Sequence, residues 1–235
     1  MTFSIAARCD ASGQFGAAIA SATPCVGTFC LWMQSSVGVC CTQSWTNPYL
    51  AINALSQLEA GCSSEQSVDA AVSNDSNANQ RQLGVVGKNG NGCAWTGIEC
   101  TDEYGHVTGP GYSIQGNMLG SADVLTAMAD KFLLDLTQPL EERLLAALEA
   151  GQRASGDRRG QQSAALATIG DKPWRRLDLR VDEHTKPIEE LQRVLPIANR
   201  QFLPFADALP DSTGKNAENI EAVRALMLTE PSARL

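Results

Sequence analysis

The order of periodicities along the 235-residue chain predicts an α+β layered fold, with mainly antiparallel sheets and helices on the outside. Three observations carry this expectation. An alternating run opens the chain and turns straight back on itself. Helical patterns come in adjacent pairs, not one per strand. Strand patterns recur on either side of those pairs, where a parallel doubly wound fold would alternate strand with helix.

The opening run sets Phe3, Ile5 and Ala7 against Thr2, Ser4 and Ala6, and Ala11-Ser12-Gly13 turns the chain into a second run, 15–22. That second run is small on both faces and almost uncharged, as suits an inner strand packed on two sides. A third strand is expected over 37–43. From Tyr49 to Ala60, Leu50, Ile52, Leu55 and Leu58 have near-helical spacing, and Gly61 supplies the stop. Ser63 and Gln66 form a capping-box pattern, so a second helix follows with Val68, Ala71 and Val72 on one side.

From Leu83 the pattern returns to strand. Leu83 to Gly87 and Cys93 to Gly97 flank Asn89-Gly90-Asn91-Gly92, which marks a hairpin, and further strands fall near His106 to Val107 and Tyr112 to Gln115. Helices are expected over 122–135 and 140–150, the latter with Pro139 at its start, Glu141 and Glu142 in its first turn and Gly151 at its end. Strands over 163–169 and 177–181 follow, then a helix from Pro187 to Arg200. After a loop over 204–215, a last amphipathic helix runs from about Ala217 to Leu228. The expected division is one domain over 1–204 and a helical extension over 205–235.

Composition removes several classes of function. The net charge is −8, and the densest basic stretches are Arg158-Arg159 and Arg175-Arg176, too sparse for a phosphate backbone, so nucleic acid is not an expected partner. The first twenty residues lack a basic n-region and an unbroken apolar run, and nowhere do eighteen apolar residues occur in succession. These features predict a cytoplasmic protein with no membrane partner. Its eight cysteines are then expected to be reduced and mostly to fill the core. With no C-x-x-C pair and only His106 and His184, no metal or cofactor is called for.

Chemistry is most legible at Thr2. Loss of Met1, which a small second residue permits, would put a hydroxyl nucleophile and a free α-amine on one residue. An amine with an ordinary pKa near ~8 can accept the hydroxyl proton without a histidine. Conventional alternatives lack their parts. No Gly-x-Ser-x-Gly elbow accompanies either histidine, and Gly214-Lys215 has neither the spacing of a phosphate loop nor a hydroxyl after the lysine.

Other candidates stand at strand ends. Gln115-Gly116-Asn117 offers a side-chain amide and a glycine N–H, the donors of an oxyanion hole, although an ordinary turn would use the same residues. Asp157 with Arg158 or Arg159 would orient an amine or meet a substrate carboxylate, or else form a solvated charge cluster, and Ser163 would relay a proton. Adjacent Cys40-Cys41 raises a thiol-sensor reading, but the pair lies in an apolar strand where at least one thiol should be buried and inert.

Several spaced segments together resemble the mostly bacterial domain-of-unknown-function family 1028. They are residues 1–5, Thr42-Gln43 with Asn47-Pro48, 82–86, 115–119, 156–165 and 178–184. The resemblance implies an N-terminal nucleophile (Ntn) hydrolase type of fold, a four-layer αββα sandwich related to proteasome subunits and amide-cleaving acylases. It implies a nucleophile at Thr2 and places further family motifs on Gln43, Asn117, Asp157, Arg158 and Ser163. The expectation is therefore an amidohydrolase acting on a small-molecule or peptide amide, and a homo-oligomer is possible. The other reading is a catalytically silent member of the same fold that binds a metabolite or assembles with a partner subunit.

Overall fold

The computed structural model describes residues 2–234. In chain order its main elements are β1 (Thr2–Arg8), β2 (Phe15–Ser21), α1 (Gly27–Cys30), β3 (Leu31–Gln34), β4 (Gly38–Ser44), α2 (Pro48–Glu59) and α3 (Ser64–Ser73). Next come β5 (Arg81–Gly87), β6 (Cys93–Thr96), β7 (Gly105–Gly109), β8 (Tyr112–Asn117), α4 (Asp123–Leu133) and α5 (Leu140–Arg153). The chain continues with β9 (Ser163–Ile169), β10 (Arg175–Val181), α6 (Pro187–Gln201), α7 (Leu203–Asp207) and α8 (Ile220–Leu228).

Among the described residues ten strands make two antiparallel sheets, one ordered β10-β9-β2-β1-β8-β7 and the other β3-β4-β5-β6. The opening hairpin forms as the alternation requires. Yet β1 and β2 lie in the interior of the larger sheet, so every residue of β2 is buried.

One apolar cluster joins the sheets: Ala6, Ile19 and Ala165 from the larger meet Val39, Cys41 and Val86 from the smaller. On the smaller sheet's other face, Cys40, Leu83 and Val85 pack with Leu50, Leu55, Leu58 and Val68 of α2 and α3. Helix α5 lies close on the larger sheet because β2 is small there; a Cβ at Gly16 would meet Leu144 Cδ1 at 2.7 Å. Large apolar side chains leaving water at both interfaces, each worth about 1.5–3 kcal/mol, supply the main drive for this packing.

Local signals hold where their chemistry is self-contained. Ser63 and Gln66 complete the capping box, and Gly61 takes φ +96°, beyond the ordinary reach of a side-chain-bearing residue. The 88–92 segment joins β5 to β6 as a hairpin. One stretch left unassigned is filled and one expectation is corrected. Short α1 and β3 occupy the stretch before Val37 that carries no clear pattern, and α7 forms inside the supposed loop over 204–215, where Pro204 sits in a first turn that tolerates its missing N–H.

By compactness the chain divides into a unit ending at Leu191 and a unit beginning at Gln192, within α6. In the second unit, Arg234 donates to the Met227 and Thr229 carbonyls at the end of α8, and Gln201 donates to the Arg234 carbonyl. Among the described residues no helix is long and apolar enough to cross a membrane.

Candidate active site at the end of the facing sheets

The register of the larger sheet sets Ser163, Ser21, Thr2 and Asn117 opposite one another on four successive strands. Directly opposed residues share a face, so this row presents hydroxyls and an amide together. In the smaller sheet Gln43 and Gln82 are likewise opposed. Sheet pairing thus brings together residues that are 161 positions apart at the extremes, which only the register could do.

Thr2 is buried, and its Oγ1 shares a 3.2 Å hydrogen bond with Ser21 Oγ, which in turn bonds Thr23 Oγ1 at 2.9 Å. Gln43 crosses from the other sheet. Its Nε2 faces the Thr2 carbonyl at 3.2 Å, the Gln115 carbonyl at 3.2 Å and Gln82 Oε1 at 3.0 Å, while its Oε1 accepts from Ser4 Oγ at 2.6 Å. Ser4 Oγ accepts from Gln115 Nε2 at 2.6 Å, and Gln115 Oε1 accepts from Ser113 Oγ at 2.9 Å. A buried amide without partners costs several kcal/mol, and this network supplies partners on both sheets.

Asn117 ends β8 and lies in the strand, not in a turn, with the chain bending only at Met118, φ +51°. Its Nδ2 donates to Gln82 Oε1 at 2.8 Å, leaving one amide N–H for another acceptor. Gln82 also donates to the Gly116 carbonyl at 2.7 Å.

The 156–162 segment crosses the end of the larger sheet. Asp157 bridges to Leu119, its Oδ2 accepts the Ala22 N–H at 3.1 Å, and its Oδ1 accepts the Arg159 N–H at 2.8 Å. The Arg158 N–H reaches the Met118 carbonyl at 3.4 Å, and the Gln162 N–H reaches the Ser21 carbonyl at 2.8 Å. Because Ala22 and Met118 follow the strand neighbours of Thr2, this segment lies across the start of β1. The ion partner of Asp157 is Arg159, at 3.4 Å, while the Arg158 side chain is exposed. Ser163 Oγ donates to the Thr23 carbonyl at 2.6 Å and accepts the Val26 N–H at 3.1 Å, so it anchors the turn into α1. The hydroxyl chain leading from Thr2 runs through Ser21 and Thr23.

Of the six residues singled out, Thr2, Gln43 and Asn117 join one network, Asp157 and Arg158 lie across the same end, and Ser163 sits in the same row with its hydroxyl spent on backbone groups. Gln82, Ser21 and Ser4 had no assigned role, and Gln115 entered only as part of the Gln115-Gly116-Asn117 segment. Their signal was a polar residue facing inward within an apolar strand, and Ser4, Gln82 and Gln115 already stood in family segments.

The thiols have a different character. Cys40 and Cys41 are both fully buried; burial pushes Cys41 up to about 12 and Cys40 well above the ordinary thiol range. Burial also pushes Cys30 up to about 11. A thiolate is the reactive form, so this environment argues against the sensor reading. Among the described residues no group of three or more His, Cys, Asp or Glu side chains is arranged to hold a metal. A cavity of about 750 Å³ opens at the opposite strand ends, between the start of α3 and the 88–92 loop, and none of the six residues lines it.

Fold and site together define an α+β protein with two packed antiparallel sheets and a hydroxyl and amide cluster at one end. The chain belongs to DUF1028, a family of unknown function, whose model matches residues 2–191. It is similar to the crystal structure of protein SPO2555 from Silicibacter pomeroyi, a DUF1028 protein, with 32% identity over 91% of this chain and 97% of that one and a TM-score of 0.83. Fainter likenesses are to Anbu (ancestral beta-subunit) from Yersinia bercovieri, at 15% identity over 89% and 98% of the two chains, and to an Anbu mutant from Hyphomicrobium sp. strain MC1, at 14% over 86% and 96%. Both have a TM-score of 0.43. No protein of curated function matches the chain.

Proposed function

We propose that the protein is an amidohydrolase of the N-terminal nucleophile type, built as a four-layer αββα sandwich over a 1–204 domain, with Thr2 exposed as the first residue by loss of Met1. Met1 lies outside the described residues. The observation that carries the reading is the setting of Thr2: a hydroxyl bonded to Ser21, a carbonyl held by Gln43, and Asn117 opposite in the sheet.

In this mechanism Thr2 Oγ1 attacks the carbonyl carbon of the amide while its proton passes to the Thr2 α-amine. Collapse of the tetrahedral intermediate breaks the C–N bond, and the same proton leaves on the departing amine. Water then cleaves the ester, restoring the hydroxyl and releasing the acid. The remaining N–H of Asn117, with backbone N–H groups beside it, would stabilise the oxyanion, a contribution of about 3 kcal/mol per donor. Asp157 and Ser163 would act by holding the 156–163 backbone.

Labelling with a β-lactone probe tests the reading. Intact mass of untagged protein should show loss of the methionine residue, and an acyl adduct should form on Thr2 and disappear in Thr2→Ala. Retention of Met1 throughout, or equal labelling of Thr2→Ala, would overturn the nucleophile assignment and favour a non-catalytic binding or assembly role.

A further inference from the structure

The two successive arginines in the segment over Thr2 have different environments. Arg159 closes on the buried carboxylate of Asp157, whose oxygens also take the Ala22 and Arg159 N–H groups. Arg158 is exposed, its backbone is tied to Met118, and its guanidinium bonds to nothing among the described residues. Met118 directly follows Asn117, which is paired with Thr2. The Arg158 backbone is thus anchored one residue from the strand partner of Thr2.

Arg158 cannot accept a hydrogen bond from an amine, and its permanent charge opposes protonation of an amine nearby, so orienting the Thr2 amine is a poor use for it. A planar fork of donors beside a cluster of hydroxyls and amides suits a carboxylate. The nearby acid Glu103, whose carbonyl accepts the Leu119 N–H, does not pair with it. Two exposed aromatic side chains stand near the end of the smaller sheet. Trp45, just past β4, is 67% exposed, and Phe29 is 61% exposed in α1, which the Cys30–Thr46 contact of 3.9 Å holds beside the same loop.

We propose that Arg158 binds a substrate carboxylate, so that the class acted on at Thr2 is an N-acylated amino acid, its carboxylate on Arg158 and its acyl chain toward Trp45 and Phe29. This rests on the amidohydrolase reading for the reaction, though the carboxylate site is testable without it.

Calorimetric titration of full-length Thr2→Ala, which cannot turn the ligand over, with N-hexanoylglycine and with N-hexanoylglycinamide isolates the carboxylate. The acid should bind at least ~10-fold more tightly, the range expected of a charge-assisted hydrogen bond. Arg158→Gln should abolish that preference, and Arg158→Lys should retain part of it. Equal or undetectable binding of the acid, or a preference that survives Arg158→Gln, would overturn the proposal. A preference that depends on Arg158 in a protein whose Thr2 never takes up the β-lactone would uphold the carboxylate site while removing the hydrolase reading.

Discussion

Gln82 Oε1 accepts from Asn117 Nδ2 at 2.8 Å and from Gln43 Nε2 at 3.0 Å, so a single buried carbonyl oxygen fixes which way both amides face. The donor left on Asn117 and the grip of Gln43 on the Thr2 carbonyl both follow from it. Replacing Gln82 with Leu leaves the Asn117 amide without its partner and takes one partner from the Gly116 carbonyl, while Gln43 keeps the Thr2 and Gln115 carbonyls. At about 1–3 kcal/mol for a buried group left unpaired, the variant should lose about 2 kcal/mol or more in urea unfolding. A loss below 1 kcal/mol would show that the network reorganises without it.

Gly84 gives that network room. A Cβ there would lie 2.0 Å from Gln115 Oε1 and 2.7 Å from Ser113 Oγ. Gly84→Ala should therefore displace the Gln115 amide, break its bond to Ser4 and cost about 2 kcal/mol or more, read as a fall in Tm. Gly90→Ala, with nothing within 4 Å, is the matched control and should leave Tm within about a degree.

Alkylation should sort the thiols by environment. In the folded protein at pH 8, iodoacetamide followed by peptide mass spectrometry should modify exposed Cys25 first and leave Cys40 and Cys41 unmodified until denaturant is added. Native labelling of Cys40 or Cys41 at the Cys25 rate would restore the thiol-sensor reading.

Asp75 ties the loop after β4 to the chain after α3. Its carboxylate accepts from Asn47 Nδ2 at 2.8 Å, from the Asn77 N–H at 2.9 Å and from Arg81 Nε at 3.1 Å. Burial pushes this carboxyl up, but those hydrogen bonds and the Arg81 charge outweigh burial and bring it below the ordinary carboxylate value. A folded pKa below the unfolded value of about 3.9 means that the contribution is complete above that pH and lost as pH falls through the folded pKa. Asp75→Asn should cost about 1–2 kcal/mol at pH 7 and flatten the acid limb of the stability profile below about pH 4, measured by urea titration at each pH. An unchanged acid limb would assign the pH dependence to other carboxylates.

How much of this was legible depended on how far apart the cooperating residues lie. The capping box at Ser63 and Gln66 and the hairpin around Asn89-Gly92 are complete within a few residues, and both formed as read. Thr2 and the 156–163 segment could be singled out because their chemistry shows in residue type. The pairing of Arg159, not Arg158, with Asp157 could not be read, since adjacent arginines differ only in where the turn sends them. Gln82 was hidden for a related reason. Its partners come from positions 43, 96, 105, 116 and 117, and an inward amide in an apolar strand looks like an imperfection until both sheets supply them.

The placement of β1 also bears on biosynthesis. Strand β1 is flanked on one side by β2, translated almost at once after it, and on the other by β8, which ends at Asn117. At about 5–20 residues per second, several seconds of translation separate the two flanks. During that interval the nascent hairpin carries an unpaired apolar edge, the kind of template that recruits neighbouring chains. Slowed elongation between β2 and β8 should therefore lower soluble yield more than an equal delay after β10, and a trigger-type holdase would be expected to engage this chain early.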